Sequence, residues 1–473
     1  MKCCLLITAT VAVATGAHGA DASAVADEVR AAMKKAAQAF CDRAAAHGGY
    51  VYYYSPDFSQ RWGEGVASAD QIWVQEPGTP LVGRALVAAH AATGDSFYLE
   101  MAEAAAEALL YGQLESGGWT NSVDFDPKGS KVAQYRNGRG KGRNFSTLDD
   151  GITPTALRFL MELHAAQGLP KTGALAETIR TAMDALLAAQ FDHGAFPQGW
   201  QGPVSGGDAA KTARYPQHDW RTEGRIKEYW DQPTLNDNTC GFVARLLIQA
   251  HAQYGDEQCR TALTKLGDFL IAAQMPSPQR GWAQQYNLDM EPIWARAFEP
   301  PAVAGRESQD VAETLMDIAV ELRDARFLKP IPAALDYLRG SVLPDGQLAR
   351  YYELETNTPL YMERDGKGYR LTHSDSNLPS HYGWKVENRL DALKARYDRI
   401  MARQSEPAGP PPTDAEVRAL LEELNSDGLW ISRYNGGMLV GQPKWPEGFE
   451  FLSSEVFAEN LMKLAQYVGG KTE

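Results

Sequence analysis

Two adjacent carboxylates, Asp149 and Asp150, sit in the polar stretch Asn144-Phe-Ser-Thr-Leu-Asp-Asp-Gly-Ile-Thr-Pro-Thr155. A third acid in similar surroundings is Asp237, flanked by Asn236 and Asn238. Apolar residues at helical spacing follow each group: Leu157, Leu160 and Met161 after the first, Val243, Leu246, Leu247, Ala250 and Tyr254 after the second. Acids at helix starts are ordinary caps that also suit the helix dipole. Two such starts on successive inner helices, each reached through a long aromatic loop, would nevertheless face one cleft. Oxygen-rich groups of this kind suit Ca²⁺, a hard cation that takes several oxygen ligands. Asp149, Asp150 and Asp237 are therefore the candidate metal ligands, and Asn236 is a candidate for binding substrate beside them.

Cations stand close by. Lys128, Lys131, Arg136, Arg139, Lys141 and Arg143 fall within one stretch that contains no acid, just before the Asp149-Asp150 loop. A cation-attracting pair beside an anion-attracting loop points to a metal ion and an acidic ligand together. Gly138-Arg-Gly-Lys-Gly142 is not a phosphate loop, because it lacks the Lys-Ser/Thr ending and a preceding strand. Arg296, in Trp294-Ala-Arg-Ala-Phe-Glu-Pro-Pro301, forms a second focus, open to the plainer reading of an Arg–Glu pair. Trp282, Tyr286 and Trp294 crowd around it, and loop rings of this sort could stack on sugars. Arg350 and Tyr351, in Ala349-Arg-Tyr-Tyr-Glu353, add a further loop cation and ring.

The elements that must position these residues are helical. Apolar spacing near 3.6 predicts helices over residues 21–47, 80–93, 96–113, 153–166, 173–190, 236–254, 256–273, 307–323, 329–342, 384–401, 413–424 and 454–467. They come as helix, short turn, helix, then a long loop rich in Gly and aromatic residues, such as Gly117-Gly-Trp119, Gly194-Ala-Phe196, Gly281-Trp282 and Gly428-Leu-Trp430. Recurrence of one supersecondary unit is the main clue to architecture. The expectation is an all-α fold, an (α/α) toroid of antiparallel helix pairs, with aromatic loops and short strands on one rim lining a cleft. The Pro-rich tract at 405–412 reads as a loop and not a domain boundary.

The chain has 473 residues, 44 % hydrophobic and 22 % charged, an ordinary globular composition. Residues 1–20 carry Lys2, an apolar run from Cys3 to Val13 and small residues at Ala17-His-Gly-Ala20, the pattern of a secretory signal peptide. That run is too short to span a membrane, and no later stretch approaches ~20 apolar residues. Residues 21–473 are thus expected to form a single soluble domain, secreted or periplasmic, and monomeric. Its formal charge is −14 for the whole chain, or −15 without Lys2, which excludes a general nucleic-acid binder. Cys41, Cys240 and Cys259 remain beyond the signal. Three buried thiols are the simplest reading, with a Cys240–Cys259 bridge left open. Without Cys-x-x-Cys or His-Glu-x-x-His, zinc is not expected.

Several blocks in the same order resemble the family 10 polysaccharide lyases, pectate lyases with an (α/α) toroid. They are Thr147-Leu-Asp-Asp-Gly with Leu157-Arg-Phe-Leu160, Ala195-Phe-Pro-Gln198, Pro233-Thr-Leu-Asn-Asp-Asn238, Trp282-Ala-Gln-Gln-Tyr286, Trp294 to Pro301, Arg350-Tyr-Tyr-Glu-Leu-Glu-Thr-Asn-Thr-Pro359 and Arg364-Asp-Gly366. The resemblance implies Ca²⁺-dependent cleavage of an acidic polysaccharide, polygalacturonate or pectin, by β-elimination. It implies that Asp149 and Asp237 serve the calcium and substrate site, that Asp150 falls where many members have Asn, that Arg296 is the base, and that Arg350 clamps a substrate carboxylate. The chain departs from the family in a longer loop over residues 199–229. Two other functions fit the residues alone: a glycoside hydrolase on the same toroid, with Asp149 and Asp237 as acid and base, and a non-catalytic binder of acidic polysaccharide. An arginine base must be neutral, so cations near Arg296 and an alkaline optimum are expected.

Overall fold

The structure, a computed structural model, describes residues 17–407 and 409–470, with side chains from residue 25. The expected signal segment lies mostly outside the described residues. Twelve helices are found among the described residues: α1 Ala17–Ala44, α2 Thr79–Thr93, α3 Ser96–Gly112, α4 Ile152–Ala166, α5 Ala174–Ala188, α6 Thr239–Tyr254, α7 Glu257–Ala272, α8 Gly305–Leu322, α9 Ile331–Arg339, α10 Leu390–Met401, α11 Asp414–Glu423 and α12 Ser454–Gly469.

Local chemistry sets their ends. Asp95 and Asp256 accept hydrogen bonds from Phe97 N and Gln258 N at the starts of α3 and α7. Thr413 and Glu416 form a reciprocal capping box on α11. Left-handed Gly94 and Gly255 stop α2 and α6, a conformation that costs glycine little. The helices pack as an (α/α) toroid. Neighbours around its inner ring are α2–α4, α4–α6, α6–α8 and α8–α10, and α12 turns back onto α2. Outside them, α3, α5, α7 and α9 pair with α2, α4, α6 and α8, while α1 and α11 both touch α12. The inner helices are buried on most sides, as the Ala- and Leu-rich faces of α4 and α6 show.

One rim carries short strands. The strand Glu450–Ser453 pairs with Tyr53–Tyr54, with Tyr53 opposite Ser453 and Tyr54 opposite Leu452, so the two ends of the chain meet in one sheet. Two of the short strands are Leu348–Ala349 and Tyr351–Tyr352. A hairpin, Pro359–Asp365 with Gly368–Thr372, was not expected, and its turn contains Gly366 at φ 58°. The helix expected from residue 384 begins at Leu390, because Lys385–Val386 pairs as a strand with Leu348–Ala349. The three cysteines are free and buried, so no Cys240–Cys259 bridge forms. No helix among the described residues is long and apolar enough to cross a membrane.

The Gly/aromatic loops recur for a structural reason. The indole N–H groups of Trp119, Trp282 and Trp430 donate to the carbonyls of Leu109, Leu270 and Leu420, at 2.8, 2.7 and 2.9 Å. These carbonyls lie in the closing stretches of α3, α7 and α11. The hydroxyls of Tyr54, Tyr286 and Tyr352 each accept from the backbone N–H three residues earlier, on Val51, Ala283 and Ala349. Each ring thus fills the core while its polar end satisfies backbone at a loop turn.

Candidate functional site

The acids lie on two turns of the same construction. In the first, Thr147-Leu-Asp-Asp-Gly151 runs into α4. In the second, Thr234-Leu-Asn-Asp-Asn238 runs into α6. Thr147 and Thr234 hydroxyls accept from the Asp149 and Asn236 N–H groups, at 3.1 and 3.2 Å. The next residues, Asp150 and Asp237, take left-handed backbone at φ 47° and 48°, and Gly151 and Asn238 continue it at 71° and 59°. Asp and Asn tolerate this region better than most side chains. The two turns touch each other, so the three carboxylates share one groove.

Their partners differ. The Gln198 side-chain amide donates to Asp149 Oδ1 at 2.7 Å, and that of Gln75 donates to Asp150 Oδ2 at 2.8 Å. Asp237 Oδ1 faces two arginines, Arg306 at 2.9 Å and Arg350 at 3.5 Å. Burial and then Asp237 raise the Asp149 pKa. Asp150 presents its own surface to solvent but is crowded by the groove wall. Burial, then Asp237 and Asp149, push it up to about 7.

Arg296 reaches the same groove, and its charge acts on Asp149. Its side chain is 42 % exposed and lies over the rings of Phe298 and Tyr382, 5.0 and 5.7 Å from their centres. Glu299 grips it twice, through the guanidinium at 2.6 Å and the backbone N–H at 2.9 Å. Burial works against the charge of Arg296, but Glu299 outweighs it and holds the pKa above the ordinary arginine value. The expected lowering by neighbouring cations is thus reversed by an anion. The Arg–Glu pair foreseen as the plainer reading does form, and it forms inside the groove.

Arg350 and Tyr351 lie one layer deeper. Arg350 is buried, bonded to Glu307 at 2.9 Å, with Asn236 Oδ1 at 3.5 Å. Burial opposes its charge, but Glu307, Tyr382, Tyr351 and Asp237 hold its pKa well above the usual range. Tyr351 donates to Gln284 at 2.6 Å and meets the Tyr382 hydroxyl at 2.7 Å, and Tyr382 donates to Glu299 at 3.0 Å. Arg350 Nε, Gln284 Nε2 and the Tyr52 hydroxyl are buried without a protein partner. Unpaired buried polar atoms of this kind call for an explanation and are often found at working sites.

Among the expected site residues, Asp149, Asp150, Asn236, Asp237, Arg296, Arg350 and Tyr351 come together. Trp282, Tyr286 and Trp294 do not serve as open stacking platforms: they are 0, 0 and 1 % exposed. Trp282 and Tyr286 are the core struts described above, and Trp294 is pinned by its N–H to the Trp220 carbonyl at 2.7 Å. Asn236 and Tyr351 are likewise buried and support the groove from below. The basic stretch is only partly a groove element: Arg136 turns away to Glu177 on α5 at 2.5 Å, whereas Lys131 lies over Trp73 and Arg143 over Phe145. Sequence reasoning missed Arg306, Glu299, Gln75, Gln198 and Tyr382 as working parts. Arg306 and Glu299 could have been read from their place in charged blocks. Tyr382 lies in an irregular loop without periodicity.

Among the described residues, no group of three or more His, Cys, Asp or Glu side chains is arranged to hold a metal ion. The donor chemistry still fits a hard cation. The charged forms of Asp149 and Asp150 are disfavoured by burial and by Asp237, and that of Asp150 also by Asp149, and a cation would relieve that repulsion.

The helix starts of the toroid thus bring acids and arginines to one groove. Residues 113–347, just under half of the chain, match the family model described as pectic acid lyase, and the protein is a polysaccharide lyase. Among solved structures it is similar to a family 10 polysaccharide lyase from Cellvibrio cellulosa at 22 % identity over 66 % of this chain and 94 % of the other, with TM-score 0.44. A point mutant of that lyase in complex with trigalacturonic acid gives 21 % identity over 67 and 95 %, with TM-score 0.46. A cellobiose 2-epimerase from Bacillus thermoamylovorans gives 12 % identity over 94 and 99 %, with TM-score 0.48. No protein of curated function matches the chain in sequence.

Proposed function

We propose that this lyase is a secreted, Ca²⁺-dependent pectate lyase that cleaves polygalacturonate by β-elimination. The observation behind the reading is the meeting of Asp149, Asp150 and Asp237 with Arg296 in one groove, in a chain that matches the pectic acid lyase family model. An otherwise acidic protein that gathers arginines at a groove suits a polyanionic substrate. The family 10 structure holding trigalacturonic acid points to the same substrate class.

In the reaction, the C5–H bond breaks and its pair forms the C4=C5 double bond, while the C4–O bond breaks and its pair leaves on the oxygen of the departing sugar, which takes a proton from water. Asp149, Asp150 and Asp237 would hold the calcium, which when bound draws charge from the uronate carboxylate and makes the C5 proton easier to remove. Arg296 is the proposed base that takes that proton. It is cationic in its pair with Glu299, so acting as base requires it to part from Glu299 and lose a proton. At a pH of about 9 the neutral form costs on the order of 5 kcal/mol for an ordinary arginine. Arg350, fixed by Glu307, holds a cation at the groove wall against a uronate carboxylate.

The Glu299 pair favours a second reading, in which Arg296 stays charged and binds a carboxylate while another group takes the proton. The pH profile of Glu299→Gln separates the two. If Arg296 is the base, loss of Glu299 lowers its pKa and moves the rising limb of kcat/KM to lower pH; an unmoved limb favours the second reading. The reading as a whole is tested with polygalacturonate and calcium. Ultraviolet-absorbing unsaturated ends support elimination, and saturated reducing ends would overturn it in favour of hydrolysis. Full activity after chelation would remove calcium from the scheme.

A further inference from the structure

The long loop of residues 199–233 forms an arm along one bank of the groove. Near its middle, Trp220 is buried and accepts the Trp294 indole N–H. Arg221 reaches Glu353 at 2.8 Å, which ties this part of the arm to the strand end beyond Tyr352. Further along, the Tyr229 carbonyl accepts from the Gln285 side chain and the Trp230 carbonyl from Gln198 N at 3.0 Å. Tyr229 is half-buried, and Glu299, Arg296 and Asp149 all act on it. The arm therefore passes from the Glu353 side to the Asp149 side, and residue 225 lies between the two anchors.

Arg225 differs from three of the four other Lys and Arg residues of this arm. Lys211, Arg214 and Arg221 each grip an acid: Asp289, Glu291 and Glu353. Arg225 lays its guanidinium on the Trp294 ring, 3.7 Å from the ring centre. Among the described residues no ion pair joins it to a carboxylate, and partial burial lowers its pKa. Trp294 is two residues before Arg296, so an uncompensated cation is stacked against the base of the Arg296 loop. Stacking on an indole orients a guanidinium and leaves its in-plane N–H groups free to form a fork with a carboxylate.

We propose that Arg225 is a substrate-binding residue that receives a uronate carboxylate in a subsite next to the sugar unit at Arg296. This rests on the polyuronate reading above. The arm is the segment in which the chain is longer than the family it resembles, so the contact would be a specificity feature of this protein. Trp294 takes on a second role here: a core ring whose covered face presents the cation that meets the sugar acid.

The test uses the full chain with calcium and measures initial rates of ultraviolet-absorbing product. Arg225→Met keeps an apolar cover over Trp294 and removes the charge, and Arg225→Lys keeps the charge without the fork. For polygalacturonate, Arg225→Met should raise KM about 10-fold and leave kcat within about twofold, as expected for loss of one charge-assisted contact outside the reacting unit. Arg225→Lys should recover part of the loss, and the KM of Arg225→Met should depend less steeply on salt than that of wild type. The inference is overturned if KM of Arg225→Met stays within about twofold of wild type, or if kcat falls with KM unchanged, which would assign Arg225 to supporting the Arg296 loop. If the wild-type protein itself yields no unsaturated product, the polyuronate reading fails, and this inference with it.

Discussion

The turns at 147–151 and 234–238 have one backbone and two electrostatic fates. Both place a left-handed aspartate before an inner helix. In the second turn Asp237 is met by Arg306 and Arg350, themselves anchored to Asp310 and Glu307. In the first, Asp149 and Asp150 are met by the neutral amides of Gln198 and Gln75. One turn is charge-compensated by the protein, and the other keeps a surplus of negative charge. Identical scaffolding thus separates two electrostatic settings: an aspartate paired with arginines, and two aspartates held by neutral amides.

The strongest way to break this contrast is to remove the compensation. Arg350→Ala leaves Glu307 buried without its cation, and loss of one partner of a buried pair costs about 3–5 kcal/mol. The denaturation midpoint should fall accordingly, and further than for Arg296→Ala, where the buried Glu299 keeps its hydrogen bond from Tyr382. Next in size is catalysis. Arg296→Ala should lower kcat by about 10³-fold or more if Arg296 is the base, with the fold intact by circular dichroism. Asp149→Asn should reduce activity by about 10²-fold, with partial recovery at higher calcium, because it halves the surplus charge of the first turn.

A smaller effect separates the turns by pH. The Asp150 pKa is raised to about 7, above its unfolded value. The native state then holds its proton more tightly than the unfolded chain between about pH 4 and 7, so this carboxylate lowers stability as pH rises through that window. Asp150→Asn should therefore flatten the pH dependence of stability there and stabilise the protein at pH 8, by on the order of 1 kcal/mol once its exposure is allowed for. Calcium affinity of the wild type should rise from pH 6 to pH 8, and that rise should shrink in Asp150→Asn, measured by calorimetry.

Much of this was legible in the chain itself. Helix pairs announced themselves through apolar periodicity, and the toroid followed from their recurrence. The acids before α4 and α6, and Arg296 and Arg350, were visible as charged groups in otherwise aromatic loops. What the sequence hid was orientation. A loop tryptophan that stacks on sugar and one that braces a helix end have the same neighbours in sequence. Trp282 and Tyr286 turned inward because each has a backbone carbonyl to satisfy, at Leu270 and Ala273. The partner of Arg296 was in plain view three residues on, yet only the fold shows that Glu299 is buried and also receives Tyr382. Tyr382 could not be anticipated, because its loop has no period and its hydrogen-bond partners, Glu299 and Tyr351, come from distant segments.

The strand pairing of Glu450–Ser453 with Tyr53–Tyr54 has a consequence for how the molecule is made. Hydrogen bonds that join residues some four hundred positions apart cannot form while the polypeptide is still emerging, and contacts of such high order form late. A partly synthesised or threaded chain therefore lacks the clasp that holds its first and last helices together. The rim sheet is therefore complete only after the segment leading into the last helix has docked beside Tyr53 and Tyr54.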